Sequence, residues 1–298
     1  MFKNSIVAIA TPFNNGKVDE AKLRELVEFQ IKSGTNGIVP CGTTGESPTL
    51  SHEEHDRVIK ICIETTAKRV PIIAGTGSNS TAEAIRLTQH AAKAGADGAL
   101  VVTPYYNKPM QEGLYLHFKA VAESVDIPII LYNIAGRTAR NIETETVARL
   151  ARDCSNIVGV KEASGSLEQI KAVRQICPKE FLLLSGDDML TLPVLELGGV
   201  GVISVMANIL PKEVLKLIKL FNDGDIKGAQ AQHKKLEPLI KSLFIETNPI
   251  PIKEAMQLMG LCSSEVRLPL SPMADENKKI LEDALHKFGA IKTKDTAV

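Results

Sequence analysis

The first residue to suggest chemistry is a lysine at the end of an apolar run. In Asn156-Ile-Val-Gly-Val-Lys-Glu-Ala-Ser-Gly165, Ile157, Val158 and Val160 read as a short buried strand, and Lys161 follows without a break. An amine that starts near pKa ~10.4 is mostly protonated at neutral pH, and partial burial disfavours that charge. A desolvated lysine suits imine formation with a carbonyl carbon, whereas an arginine keeps its proton. The competing reading is a lysine whose stem covers apolar surface while its ammonium reaches solvent.

Other residues of matching chemistry recur at similar places. Gly42-Thr-Thr-Gly-Glu46 offers two hydroxyls and several turn amides, a nest for a small carboxylate or simply a glycine-rich turn. It lacks the Gly-Lys-Ser/Thr ending of a phosphate loop, and Gly75-Thr-Gly77 lacks the further glycine of a dinucleotide fingerprint. Tyr105, Tyr106 and Tyr132 are three of only four tyrosines, and a phenol hydrogen-bonded to another hydroxyl can pass a proton. Arg137 and Arg140 follow Tyr132, and a guanidinium there can clamp a carboxylate with two parallel bonds. His52 and His55 have the spacing of a metal pair, but the Ser51-His-Glu-Glu54 capping pattern accounts for them and no third ligand is evident; no metal is expected. Asp187-Asp188 suits a cation or a helix N-cap.

These residues need a scaffold that brings them together. Eight apolar runs recur in order: Ile6–Ala10, Gly37–Pro40, Pro71–Ala74, Gly98–Val102, Pro128–Leu131, Ile157–Val160, Phe181–Leu184 and Gly201–Ile203. Runs rich in Val and Ile without alternation suit parallel strands buried on both faces. Between them Ser51–Glu54, Ser80–Glu83 and Ser166–Gln169 carry the capping-box pattern of helix starts. Eight strand–helix units predict a (β/α)8 TIM barrel over residues 1–224, with a doubly wound open sheet as the alternative. In a barrel the polar residues that follow each run share the C-terminal rim, where active sites form. From residue 225 the pattern changes to three helical stretches, roughly 225–243, 249–260 and 273–288, broken by Thr247-Asn-Pro-Ile-Pro251 and Leu268-Pro-Leu-Ser-Pro272. This predicts a C-terminal helical region over 225–298 whose tail frays from Lys292.

Composition narrows the partners. The 298 residues hold 35 Lys plus Arg against 35 Asp plus Glu, so no charge excess points to nucleic acid or an anionic membrane. Five scattered cysteines with no Cys-x-x-Cys pair favour a reducing, cytoplasmic setting, and no apolar stretch approaches the ~18–20 residues of a membrane helix.

Together these segments resemble the pyruvate-dependent aldolases of the dihydrodipicolinate synthase and N-acetylneuraminate lyase superfamily, from Val7-Ala-Ile-Ala-Thr-Pro12 to Leu268-Pro-Leu-Ser-Pro272. The threonine pair of Gly42–Ser47, Thr103-Pro-Tyr-Tyr-Asn107 and Arg137-Thr138 after Tyr132-Asn133 resemble the dihydrodipicolinate synthase branch; the sialic-acid lyases typically have Ser-Thr in the first motif and no arginine in the last. The resemblance implies that Lys161 forms an imine with pyruvate while Thr43 and Thr44 hold its carboxylate. It implies a proton relay of Tyr132, Thr43 and Tyr106, the last from an adjacent subunit, with Arg137 anchoring L-aspartate 4-semialdehyde and the backbones of Gly186 and Ile203 lining the site. No metal or organic cofactor is implied, because the imine is the electron sink. Ser47, Pro48, His52, His55, Asn79, Glu83 and Tyr105 match positions that bind feedback lysine in sensitive members, and a tetramer built from tight dimers is the family expectation. One departure stands out: the family has proline at the position of Ala135, next to the loop that carries Arg137. Two alternatives stay open, an aldolase for another aldehyde such as a sugar acid, and a silent binding protein. The second would be expected to have lost Lys161 or Tyr132, and both are present.

Overall fold

The structure, a computed structural model, describes residues 1–292. The tail expected to fray lies, beyond Lys292, outside the described residues. Eight parallel strands form the centre: β1 (Asn4–Ala8), β2 (Gly37–Val39), β3 (Ile73–Gly75), β4 (Gly98–Val102), β5 (Ile129–Asn133), β6 (Ile157–Glu162), β7 (Leu182–Ser185) and β8 (Gly201–Ser204). Their order is β2-β1-β8-β7-β6-β5-β4-β3, and a parallel bridge from Ile38 to Ile72 closes the ring between β2 and β3. Bonds from Ile38 N to Pro71 O (3.0 Å) and from Gly75 N to Pro40 O (2.9 Å) complete that seam. The fold is a (β/α)8 barrel.

Each apolar run coincides with a strand, but β5 and β6 run on into polar residues. Backbone pairing continues there regardless of side-chain type, placing Tyr132 opposite Lys161 and Asn133 opposite Glu162. β1 stops short at Ala8, and the Ala10 amide instead donates to Asn208 Oδ1 at 3.0 Å. Alternation then assigns the faces. Ile6, Ala8, Leu100, Ile130, Tyr132, Leu184 and Ile203 share one buried cluster inside the barrel. Val101, Ile129, Leu131 and Val160 pack outward in a separate cluster with the surrounding helices.

Eight helices alternate with the strands: α1 (Glu20–Lys32), α2 (His52–Thr66), α3 (Thr81–Ala94), α4 (Gln111–Glu123), α5 (Thr144–Asp153), α6 (Leu167–Ile176), α7 (Thr191–Glu196) and α8 (Pro211–Asn222). Of the three capping boxes only Ser51–Glu54 is complete, with both reciprocal bonds made. At α3 and α6 the serine caps the helix, but the third residue is drawn away by a tertiary partner. Glu83 turns to Ser78 and to His52 (2.7 Å), and Gln169 turns to Asn141 and Glu162.

Three further helices follow, α9 (Ile226–Ser242), α10 (Ile250–Leu258) and α11 (Asp275–Phe288). α9 packs on α8, and the start of α10 lies over the C-terminal rim, where Lys253 reaches Thr11 and Glu46. A small hairpin (Phe13–Asn14 with Lys17–Val18) and a helical turn (Ala135–Thr138) are additions that the apolar pattern does not reveal. Among the described residues no helix is long and apolar enough to cross a membrane.

Candidate active site

A cavity of about 670 Å³ opens at the C-terminal ends of the strands. Thr43, Tyr132 and Arg137 line it, and so do Ser47, Pro48, His52, His55, Glu83 and Tyr105. Thr43, Tyr132 and Arg137 therefore share one space with six of the seven residues matched to lysine binding, whereas Lys161, Thr44, Gly186, Ile203 and Asn79 do not line it.

Lys161 is buried, with 5% of its surface exposed, and its Nζ sits 4.1 Å from the centroid of the Tyr132 ring. A lysine snorkelling into solvent would not be this covered. Gly186 makes room for it: a Cβ there would stand 3.1 Å from Lys161 Cε and 2.6 Å from Ala163 Cβ. The Gly186 amide donates to Glu162 O at 2.8 Å, so the close approach is built into the β6–β7 pairing. Ile203 is buried beside Tyr132 in the barrel interior.

The Gly42–Ser47 turn is tightly wound. Gly45 N and Ser47 N donate to Gly42 O (3.1 and 3.4 Å), and Glu46 N donates to Thr43 O (3.1 Å). Cys41 and Glu46 both take left-handed backbone angles (φ 55° and 52°). Two long-range contacts hold this turn. Asn248 Nδ2 donates to Thr44 Oγ1 at 3.1 Å. Glu46, 2% exposed, forms an ion pair with the fully buried Lys253 at 2.6 Å and accepts from Arg267 N at 3.0 Å. Lys253 Nζ also donates to Thr11 O (3.0 Å) and lies 4.2 Å from the Phe13 ring centroid. Burial lowers the lysine's pKa from its usual value, and the neighbouring Glu46 opposes that shift.

Arg137 sits in the helical turn Ala135–Thr138, and its Nη2 donates to Asn248 O at 3.0 Å. Ala135 is the first residue of that turn, a position where proline is also accommodated because its amide is not needed for the first helical bonds. Arg137 N and Thr138 N both donate to Ile134 O, so the turn forms with alanine in place. Arg140 points elsewhere, donating to Lys108 O at 3.0 Å.

The two histidines separate. His52 Nε2 bonds Glu83, while His55 Nε2 bonds Gly75 O at 3.0 Å. Burial lowers the pKa of His55 to about 4, against the pull of the Gly75 carbonyl. Asp187 accepts from Met189 N (2.8 Å) as an N-cap, and Asp188 is buried under Ser204 Oγ and the amides of Val205 and Met206. Asn79 lends its carbonyl to Asn107 Nδ2 (2.8 Å). Tyr106 is 89% exposed on a left-handed backbone (φ 72°), outside the cavity of its own chain.

The pattern of the Dihydrodipicolinate synthetase family matches residues 1–288. The chain belongs to that family. The 4-hydroxy-tetrahydrodipicolinate synthase of Syntrophus aciditrophicus is 61% identical over 291 residues, 98% of this chain and 100% of that protein. The crystal structure of dihydrodipicolinate synthase from Aquifex aeolicus superimposes with a TM-score of 0.96 at 50% identity, covering 98% and 100% of the two chains. The enzyme from Cyanidioschyzon merolae, solved with lysine bound, has a TM-score of 0.95 at 41% identity, covering 97% and 99%. In this member of the dihydrodipicolinate synthetase family, residues without a sequence-level assignment also reach the site. Asn248 and Lys253 come from the helical region; Asn248 lies in the Thr247-Asn-Pro interruption, which reads only as a helix break, and Lys253 lies within the helix after it, where its type alone gives no signal.

Proposed function

We infer that this protein is a Schiff-base-forming lyase, a 4-hydroxy-tetrahydrodipicolinate synthase that condenses pyruvate with L-aspartate 4-semialdehyde. The observation that carries the reading is Lys161 buried against the Tyr132 ring at the mouth of the barrel, in a chain of this family. The Lys161 amine adds to the ketone carbon of pyruvate and expels its oxygen as water. Loss of a methyl proton from the imine gives an enamine, whose carbon attacks the aldehyde of the second substrate, and the new alkoxide takes up a proton. The amino group of that substrate then displaces Lys161 and closes the ring. In this scheme Thr43 and Thr44 hold the pyruvate carboxylate, Arg137 anchors the semialdehyde, and Tyr132, Thr43 and the Tyr106 of a neighbouring subunit carry protons. Gly186 and Ile203 bound the site, and no cofactor enters because the imine accepts the electrons. The exposure of Tyr106 supports an assembly in which it reaches another subunit, a tetramer of paired dimers. The five unpaired cysteines suit the cytoplasm.

Feedback by lysine is a second reading of the same cavity. Ser47, Pro48, His52, His55, Glu83 and Tyr105 line it, Asn79 is tied to Asn107, and one similar solved structure holds lysine. Borohydride reduction with pyruvate, followed by peptide mapping, tests the nucleophile: the adduct is expected on Lys161, and an adduct elsewhere or none refutes the mechanism. Coupled assays with L-aspartate 4-semialdehyde and with N-acetylneuraminate test the substrate, and initial rates at millimolar lysine test the feedback.

A further inference from the structure

The strand pair that carries Tyr132 and Lys161 carries a second polar pair one residue further on. Asn133 stands opposite Glu162, and both side chains are fully buried. Strand alternation turns them away from the barrel interior that Tyr132 and Lys161 face. Asn133 Nδ2 donates to both Glu162 oxygens at 3.1 Å. Ser164 N donates to Oε1 at 2.8 Å, and Gln169 Nε2 donates to Oε2 at 3.1 Å. Asn141 closes a ring: it accepts from Asn133 Nδ2 (2.7 Å) and donates to Gln169 Oε1 (2.7 Å). Asn133 Oδ1 meanwhile accepts from Ile142 N at 3.1 Å.

Among the described residues all the donors to this carboxylate are amides, so it gains no ion-pair attraction from them to offset its desolvation. A pair of apolar side chains would fill the same space at lower cost. What the polar ring adds is geometry. It ties together the end of β5, the end of β6, the segment after Arg137 and the first turn of α6.

We propose that Asn133, Glu162, Gln169 and Asn141 form a latch behind the active site, in which Glu162 and Asn133 are positioning residues that fix the approach of Tyr132 to Lys161. Glu162 serves as the acceptor on which the other elements converge. This inference rests on Lys161 being the imine-forming amine and Tyr132 its proton carrier.

The test is steady-state kinetics normalised to the number of sites that pyruvate and borohydride can trap. In Glu162→Gln one acceptor becomes a donor, which then faces the Ser164 amide or the Asn133 and Gln169 side-chain amides. Because small misplacements of reacting groups cost up to about 100-fold, kcat per trapped site is expected to fall roughly 10-fold, with KM for pyruvate within about threefold of the unmodified value. The swapped variant Asn133→Asp/Glu162→Gln restores donor opposite acceptor across the strand pair and is expected to recover kcat to within about threefold. A merely structural role would lower the count of trappable sites without changing kcat per site. A kcat per site in Glu162→Gln within about twofold of the unmodified enzyme, or no recovery in the swap, overturns the latch. Should Glu162→Gln not fold, Gln169→Ala removes one donor from the same carboxylate; an unchanged kcat per site there also overturns it. Failure of the unmodified enzyme to trap pyruvate on Lys161 overturns the underlying mechanism, and the latch with it.

Discussion

Replacing Lys253 by methionine is expected to destabilise the protein more than any surface substitution, although it lies outside the barrel's strands. The lysine side chain is 0% exposed and that of its partner Glu46 is 1% exposed, with 2.6 Å between the charged groups. Methionine has nearly the same length and leaves little cavity, so the loss is electrostatic. Among the described residues, Glu46 would then keep only the Arg267 amide as a donor to its side chain. Removing one member of a buried ion pair typically costs about 3–5 kcal/mol, because an uncompensated charge is left behind. At about 2–4 °C per kcal/mol for large domains, the midpoint of thermal inactivation should fall by roughly 6–20 °C. A chain of this size is best compared by half-inactivation temperature at a fixed heating time, since unfolding of large proteins is often irreversible. The double variant Lys253→Met/Glu46→Gln should recover at least half of the loss, because a buried neutral amide costs far less than a buried charge. Glutamine also keeps the acceptor for Arg267 N and the left-handed backbone that glutamate already adopts at position 46. A drop below about 2 °C in the single variant, or a double variant no more stable than it, refutes the reasoning.

Lys161→Ala should abolish borohydride trapping of pyruvate, whereas Arg137→Ala should leave trapping largely intact and raise KM for the semialdehyde; equal loss of trapping in both contradicts their separate roles. Gly186→Ala should impair imine formation, because its Cβ would lie 2.6 Å from Ala163 Cβ and 3.1 Å from Lys161 Cε, and an unchanged trapping rate would show that β7 can shift without cost. His55 and His117 are buried, and burial lowers both pKa values from 6.5 to about 4. The unfolded chain therefore binds protons that the folded chain excludes between those values, so stability is full above pH 6.5 and falls as pH drops toward 4, by up to about 3 kcal/mol per histidine. Urea titrations across that range check it, and a His117→Gln variant should lose part of the slope.

Much of the barrel was legible because parallel strands buried on both faces must be apolar, so each run stands out from its amphipathic helix. The residues offered to the rim stood out for the same reason: Lys161, Tyr132 and Thr43 follow those runs and break their apolar character. The helix starts were legible only in half. Ser80 and Ser166 cap as their local pattern predicts, but Glu83 and Gln169 leave the box for partners that local spacing does not encode.

The amino-acid sequence by itself determined the alternation of strand and helix, the set of residues offered to the rim and the apolar periods that bury the rest. These depend on side-chain type at short spacing. Tertiary structure alone decided which residues meet. It set Tyr132 opposite Lys161, Asn133 opposite Glu162, and Glu46 against a lysine 207 positions away. It also brought Asn248 to Thr44 across 204 positions. Such contacts follow from strand register and barrel closure, which sum the packing of the whole chain, and no local window of residues contains that sum.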